Sequence, residues 1–245
     1  MTDRFFVDPA VSRWDGDAVW LAGDEFHHFS KVMRGKVGNA LVLFDGTGKC
    51  ARGIAESLHK DGLQIRITQT SADEIESTLR LTVASALPKG DRQRFLVEKL
   101  AELGAARFIP VQMERSVARA NDAVVQRLRR YVIEAAKQCG RNVLMEIANE
   151  VPIGKLHEHL AMQTKYLLHP VALGNVGQTT SRQVLTGIPM PEKITILAGP
   201  EGSFTEQEVA IVLRAGFVPF DLGKRILRTE TACIAAAAVF LSFAD

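Results

Sequence analysis

The sequence has only three cysteines, Cys50, Cys139 and Cys233, an odd number, widely spaced and without a C-x-x-C pair. Neither a disulfide framework nor a zinc site follows from that usage, and a reducing compartment suits it. No apolar run reaches the length of about 18 residues that a membrane-spanning helix needs. The opening segment, Met-Thr-Asp-Arg-Phe-Phe-Val-Asp-Pro, has no basic stretch leading into an apolar one, so no secretory signal is read there. A soluble, cytoplasmic protein with no metal and no membrane partner is the expectation. A large charge imbalance is missing too: 30 Lys and Arg face 28 Asp and Glu, so a nucleic-acid partner must be judged from how charge is distributed. Also absent are G-x-G-x-x-G after a strand, G-x-x-x-x-G-K-[ST], H-E-x-x-H and G-x-S-x-G, which removes support for Rossmann cofactors, P-loop nucleotides, zincin metals and hydrolase triads.

What is present is a chain of 245 residues, 47% apolar with a mean hydropathy of +0.04, enough for one large or two modest domains. From Phe5 to about Thr70, short apolar runs are broken by turn signals, as in Val19-Trp20-Leu21, Ala40 to Phe44 and Gly62 to Ile67. These predict a small β-rich domain, with Asp45-Gly46 marking a hairpin. The polar, acidic stretch Ser71 to Thr78 reads as a linker, giving domains over 1–72 and 79–245. Beyond it, strand-like runs (Leu81 to Leu87, Arg107 to Val111, Lys165 to His169, Ile194 to Ala198, Val218 to Leu222) alternate with helical segments, the α/β signature of a mainly parallel sheet. Helices are expected from Asp91 to Leu103, Asp122 to Cys139 and Thr205 to Ala215, each stopped by a glycine, the last opened by a Thr205/Glu208 capping box. A final helix from about Glu230 to Phe243 is apolar nearly all round and must be covered on every side. A dimer interface and a central position within one subunit are both open as its cover.

Two segments stand out, each at the C-terminal end of a predicted strand, where ligands bind in open α/β sheets. One is Gly199-Pro-Glu-Gly-Ser-Phe204, and the other runs from Leu222-Gly-Lys-Arg-Ile-Leu-Arg228 into the apolar helix. Their glycines let backbone groups approach a ligand closely, and the strands before them are expected to be neighbours. Gly-Pro-Glu-Gly alone is equally an ordinary turn. Together the two segments resemble the cofactor loops of the SPOUT class of knotted methyltransferases, and more closely the RsmE family of 16S rRNA uridine-N3 methyltransferases. The resemblance extends to Ala86 to Arg92, Glu134 to Arg141 and His27 to Arg34, nearly the whole chain. The family more often has a second glycine where this chain has Ser203.

The resemblance implies a C-terminal SPOUT domain whose mainly parallel sheet carries a deep trefoil knot, after an N-terminal PUA-like β-barrel. It further implies S-adenosyl-L-methionine as cofactor, and a homodimer is the assembly expected from the apolar last helix. The backbone at Leu197, Ala198, Gly199, Gly202, Leu222, Gly223, Ile226 and Leu227 would cradle that cofactor, with the side chains of Leu197 and Ile226 on its base. His169, before Pro170, either borders this pocket or is a packing or capping residue. The implied partner is 16S rRNA within the assembled small subunit. A sister activity on another base, or on a ribose 2′-OH of tRNA or rRNA, is the alternative, and an RNA-binding assembly protein without catalysis the reading from another class.

Uracil N3 carries a proton at neutral pH, so such an enzyme needs a base or donors that stabilise the uracil anion. Glu201 and Glu230 are candidate acids or bases, and Arg92, Arg141, Arg225 and Arg228 candidate donors to uracil oxygens or phosphates; Arg228 or Arg92 is expected to steady the base, while Glu201 holds loop geometry or assists proton loss, or serves as a helix-dipole partner. A local Arg228–Glu230 ion pair is the competing use of Arg228. The block from Lys89 to Arg141 holds twelve cations against six acids, a phosphate-binding distribution, within which Lys89, Arg92 and Arg141 are candidate RNA contacts. If Asp24 caps a helix reaching Arg34, then Phe26, Phe29 and Met33 face the core while His27, Lys31 and Arg34 form a second basic stripe toward RNA, or simply a solvated face.

Overall fold

Alternating apolar residues at Val19/Leu21, Leu41/Leu43 and Leu63/Ile65 become strands because every second side chain of a strand points to one face. The computed structural model describes residues 3–71, 75–160, 163–169, 179–180 and 191–244; the middle of the expected linker, 72–74, and Pro170 lie outside them. The chain divides into two compact units, one of Met1–Glu76 with Ala136–Leu144, the other of Ser77–Ala135 with Met145–Asp245. The division at 76/77 falls within the stretch read as a linker, but the ranges 1–72 and 79–245 missed that residues 136–144 return to the first unit.

In the first unit, β1 (Arg4–Phe6), β2 (Arg13–Asp15), β3 (Ala18–Ala22), β4 (Ala40–Phe44), β5 (Cys50–Leu58) and β6 (Gly62–Ser71) form one sheet in the order β1-β4-β5-β6-β3-β2. All its pairs are antiparallel except β1 with β4. The sheet curls around Phe5, Val19, Leu21, Phe29, Leu41, Leu43, Leu63 and Ile65. β4 and β5 do form the hairpin expected at Asp45-Gly46. Its positive φ values fall at Gly46 and Gly48, and the Asp45 carboxylate accepts from the amide and hydroxyl of Thr47, both at 2.8 Å. The hairpin tip bonds to the returning segment, through Gly48 N to Asn142 O at 3.1 Å and Leu144 N to Gly46 O at 2.9 Å. The helix after β3 differs from expectation. α1 (Gly23–His27) passes into a π-helical turn (His28–Val32), its N-cap is Ala22 rather than Asp24, and Asp24 lies in the first turn. Phe26, Phe29 and Met33 nevertheless pack on the core, and His27, Lys31 and Arg34 are exposed.

In the second unit, β7 (Arg80–Ser85), β8 (Arg107–Gln112), β9 (Glu146–Ile147), β10 (Val151–Pro152), β11 (Thr164–Leu168), β12 (Thr179–Thr180), β13 (Lys193–Ala198) and β14 (Val218–Asp221) pair in the order β10-β8-β7-β13-β11-β14-β12, with β9 also on β8. Every pairing described is parallel. Helices α2 (Arg92–Leu103), α3 (Asp122–Cys139), α4 (Glu206–Arg214) and α5 (Thr229–Leu241) begin and end within two residues of the glycine and cap signals in the sequence. Leu167 and Leu197 pack toward Val212 of α4, whereas Tyr166, the neighbour of Leu167, stacks on Phe240 of α5 at 5.0 Å. Adjacent residues of a strand point oppositely, so both faces of the sheet are covered. Within the chain α5 buries only one side, with Cys233, Ala236, Ala237 and Phe240, while Ile234, Ala235, Ala238 and Val239 are half-buried.

Candidate active site

β13 ends at Ala198 and β14 at Asp221, but β11 lies between them, so the two glycine-bearing bends do not follow neighbouring strands as expected. They flank a third strand whose exit carries His169. They converge all the same. The Thr229 hydroxyl, at the start of α5, donates to the Gly199 carbonyl at 2.8 Å, and both bends line one cavity of about 250 Å3.

Local sequence sets each bend. Ser203 N donates to the Pro200 carbonyl at 2.9 Å, closing a turn that leaves Ser203 with φ +62°, the left-handed conformation that favours glycine. At Gly199 the backbone passes so close to Phe204 that a Cβ would meet its ring at 2.7 Å. The capping box forms as read: Thr205 N donates to Glu208 at 2.8 Å and Glu208 N to the Thr205 hydroxyl at 3.3 Å. In the second bend, Gly223 has φ +106° and donates its amide to the Asp221 carboxylate at 2.7 Å.

Ala198, Gly199, Glu201 and His169 line the cavity on one side, and Leu222, Gly223, Ile226, Leu227 and Arg228 on the other. Leu197 and Gly202 do not. The Leu197 side chain is fully buried, because β13 is central and this residue joins the core cluster that includes Val212 of α4. Gly202 instead lies under the side chain of Arg115. Ile226 is 86% exposed at the rim.

Arg92, at the start of α2, reaches both acidic candidates: its guanidinium is 3.0 Å from Glu201 and 3.7 Å from Glu230. It takes the place of the local Arg228–Glu230 pair, which is not formed. Glu230 is buried, and its second carboxylate oxygen has no hydrogen-bond donor among the described residues. Arg228 is exposed, at the N-cap of α5, and makes no ion pair among the described residues. Below it, Cys233 is fully buried, and burial pushes its thiol up to about 12 against a hydrogen bond from Ser85.

The family model described as an RNA methyltransferase domain matches residues 75–241, and an RNA methyltransferase PUA domain matches 21–68. Ribosomal RNA small subunit methyltransferase E of Bacillus subtilis is 30% identical over 94% of this chain and 92% of its own. The chain belongs to this methyltransferase E family. Its relative from Neisseria gonorrhoeae, solved with S-adenosyl methionine bound, is 30% identical and superposes with a TM-score of 0.84 over 99% of this chain and 98% of that one. A methyltransferase of Legionella pneumophila with bound SAM gives 0.87 at 29% identity, over 99% and 98% of the two chains. The PUA assignment identifies the curled first sheet, and the parallel second unit is the SPOUT methyltransferase domain of the family.

Against that family frame, the expected RNA contacts divide. Lys89, His27, Lys31 and Arg34 are exposed. Arg141 is not available: it is 4% exposed and its guanidinium meets Glu76 at 2.6 and 2.9 Å. The charge excess of the block from Lys89 to Arg141 is also reduced in space. Among the described residues, Arg92, Arg107, Arg119, Lys137 and Arg141 all pair with carboxylates outside the block, such as Glu201, Glu146, Glu150, Glu25 and Glu76. Arg225, one of the candidate donors, lines the cavity, and so do Phe204, Asp221 and Thr229, which had been given no role. Thr229 carried the one available signal, a threonine opening a helix, but that pattern points to a cap rather than to a partner 30 residues away. Among the described residues, no helix is long and apolar enough to cross a membrane, and no group of His, Cys, Asp or Glu could hold a metal ion.

Proposed function

We propose that this protein transfers a methyl group from S-adenosyl-L-methionine to N3 of a uridine in 16S rRNA of the small ribosomal subunit, as a cytoplasmic homodimer whose C-terminal unit has the trefoil-knotted path of its class. The observation that carries the reading is the convergence of the two bends on one cavity, tied by Thr229 and Gly199. The cavity suits the donor. Its apolar wall, with Leu168, Leu222, Leu227 and Ala232, fits an adenine face; the exposed backbone of the bends offers hydrogen-bond groups; and Glu201 and Asp221 put negative charge beside a sulfonium. The bound cofactor supplies an electrophilic methyl on a cationic sulfur that becomes neutral on transfer, so no metal has to act.

The residues of the chain then have to orient the uracil and manage its N3 proton. Arg92 already lies between two carboxylates, so its charge is compensated. Arg228 lies at the cavity wall without such a partner among the described residues, and is assigned to the uracil anion: a fixed guanidinium fork matches two acceptors and stays charged. Glu201 lines the cavity with one oxygen held by Arg92, which fixes it where it can take the proton directly or through water. Extruding the base costs a few kcal/mol, which phosphate contacts from Lys89 and from the exposed group His27, Lys31 and Arg34 offset. The half-buried side of α5, with Ile234, Ala238 and Val239, is the surface assigned to the second copy.

Nucleoside mass spectrometry of small-subunit rRNA treated with the protein and cofactor tests the assignment. 3-Methyluridine is the expected product. A ribose-methylated nucleoside, or methylation of another base, would transfer the chain to the alternative activity.

A further inference from the structure

The bend after β13 is gripped from outside as well as by its partner bend. β8 runs out into a turn closed by Ser116 N donating to the Met113 carbonyl at 3.1 Å and Met113 N donating to the Ser116 hydroxyl at 2.9 Å. From this turn, Arg115 Nη1 donates to the Gly202 carbonyl at 2.8 Å. The stem of Arg115 lies over Gly202, where an added Cβ would be 3.1 Å from the arginine Cβ and 3.2 Å from its Cδ. The next residue back makes the second grip. Glu114 N donates to Oε1 of Glu208 at 2.8 Å, while Oε2 of that carboxylate accepts from Thr205 N at 2.8 Å and the Thr205 hydroxyl at 3.1 Å. One buried carboxylate thus divides its oxygens between the end of the bend and the β8 turn.

We infer that Arg115 and Glu208 are positioning residues for the methyl-donor site: the β8 turn clamps the bend 199–205, so that its backbone and Glu201 keep the shape that receives the donor. The inference rests on the reading of the cavity as the donor site, since neither residue lines it. The need for a clamp follows from the backbone. Ser203 holds a left-handed φ of +62°, which a non-glycine residue keeps only where its surroundings over-determine it. A bend already fixed in its binding shape spares the ligand the ordering cost; a loosened one adds that cost to every binding event.

The test compares Arg115→Ala and Arg115→Lys with the wild-type protein in two measurements. Amide hydrogen exchange in the ligand-free protein should quicken by about tenfold across 199–204 in the alanine variant, on the loss of one charge-assisted hydrogen bond. Calorimetric titration with S-adenosylmethionine should show Kd raised by about tenfold. The thermal midpoint should not move, because Arg115 is exposed, and lysine, whose ammonium reaches the same carbonyl, should restore most of the affinity. Unchanged loop exchange together with an unchanged Kd in Arg115→Ala overturns the inference. Wild-type protein that takes up no S-adenosylmethionine, while the alanine variant still loosens the bend, overturns the donor-site reading beneath it.

Discussion

Ser203 stands in a conformation that glycine adopts freely, with φ +62°. Ser203→Gly should therefore leave the fold intact and raise stability by several tenths of a kcal/mol up to about 1, relief of backbone strain being partly offset by the greater freedom of an unfolded glycine. Chemical denaturation midpoints measure this, and a loss of stability would mean that the serine hydroxyl has a role the turn does not reveal. Arg228→Ala should lower turnover by about two to three orders of magnitude with little change in donor affinity, since it removes a group assigned to charge developing in the transition state. Cys233 supplies a pH dependence. Its folded thiol is raised to about 12, whereas an unfolded one ionises near 9.0. Between those values the unfolded state releases a proton that the folded state keeps, so stability falls as pH rises above about 9 and is unaffected at neutral pH. Cys233→Ser or Cys233→Ala should flatten that alkaline decline in equilibrium denaturation. At this scale the sequence was legible where residue type dictates backbone shape, as at Gly199 and Gly223. It misled at Arg141 and Leu197, because whether a cation is taken by Glu76, or a leucine by the core, depends on contacts far along the chain.

Elements were legible where signals are local. The Thr205/Glu208 box and the glycines after α2, α3 and α4 fix helix ends through hydrogen bonds that span only a few residues. The turn from α1 into a π-helical segment was not, because its i to i+5 bond, Met33 N to His28 O at 3.0 Å, answers to packing of Phe29 rather than to any cap. Strand order was equally out of reach: nothing in the runs around β11, β13 and β14 says that β11 lies in the middle. Coupling between elements gives the prediction at this level. Thr229→Val keeps the shape of the α5 start but leaves the Gly199 carbonyl without its donor. Thermal unfolding should drop by about 2–4 °C, and donor affinity should fall along with it. Unchanged affinity would mean that the two bends are held together by something other than this bond.

For the molecule as a whole, the division between the units at 76/77 falls in the acidic, aperiodic stretch, whereas the return of 136–144 to the first unit was not readable, since it depends on the Gly46–Leu144 pairing and on Glu76 meeting Arg141. The half-covered side of α5 extends the account to assembly. If the proposed dimer forms through that side, the wild-type protein should sediment as a dimer in analytical ultracentrifugation and Ala238→Glu, which places a charge there, as a monomer. The central claim is that the bends after β13 and β14 together form the methyl-donor site, and NMR of the amide-labelled protein during titration with S-adenosylmethionine tests it most directly. Saturable shifts in both 198–204 and 222–229, with one shared affinity, are the predicted result. Saturation that moves only one bend, or shifts that gather elsewhere while both bends stay still, would contradict it.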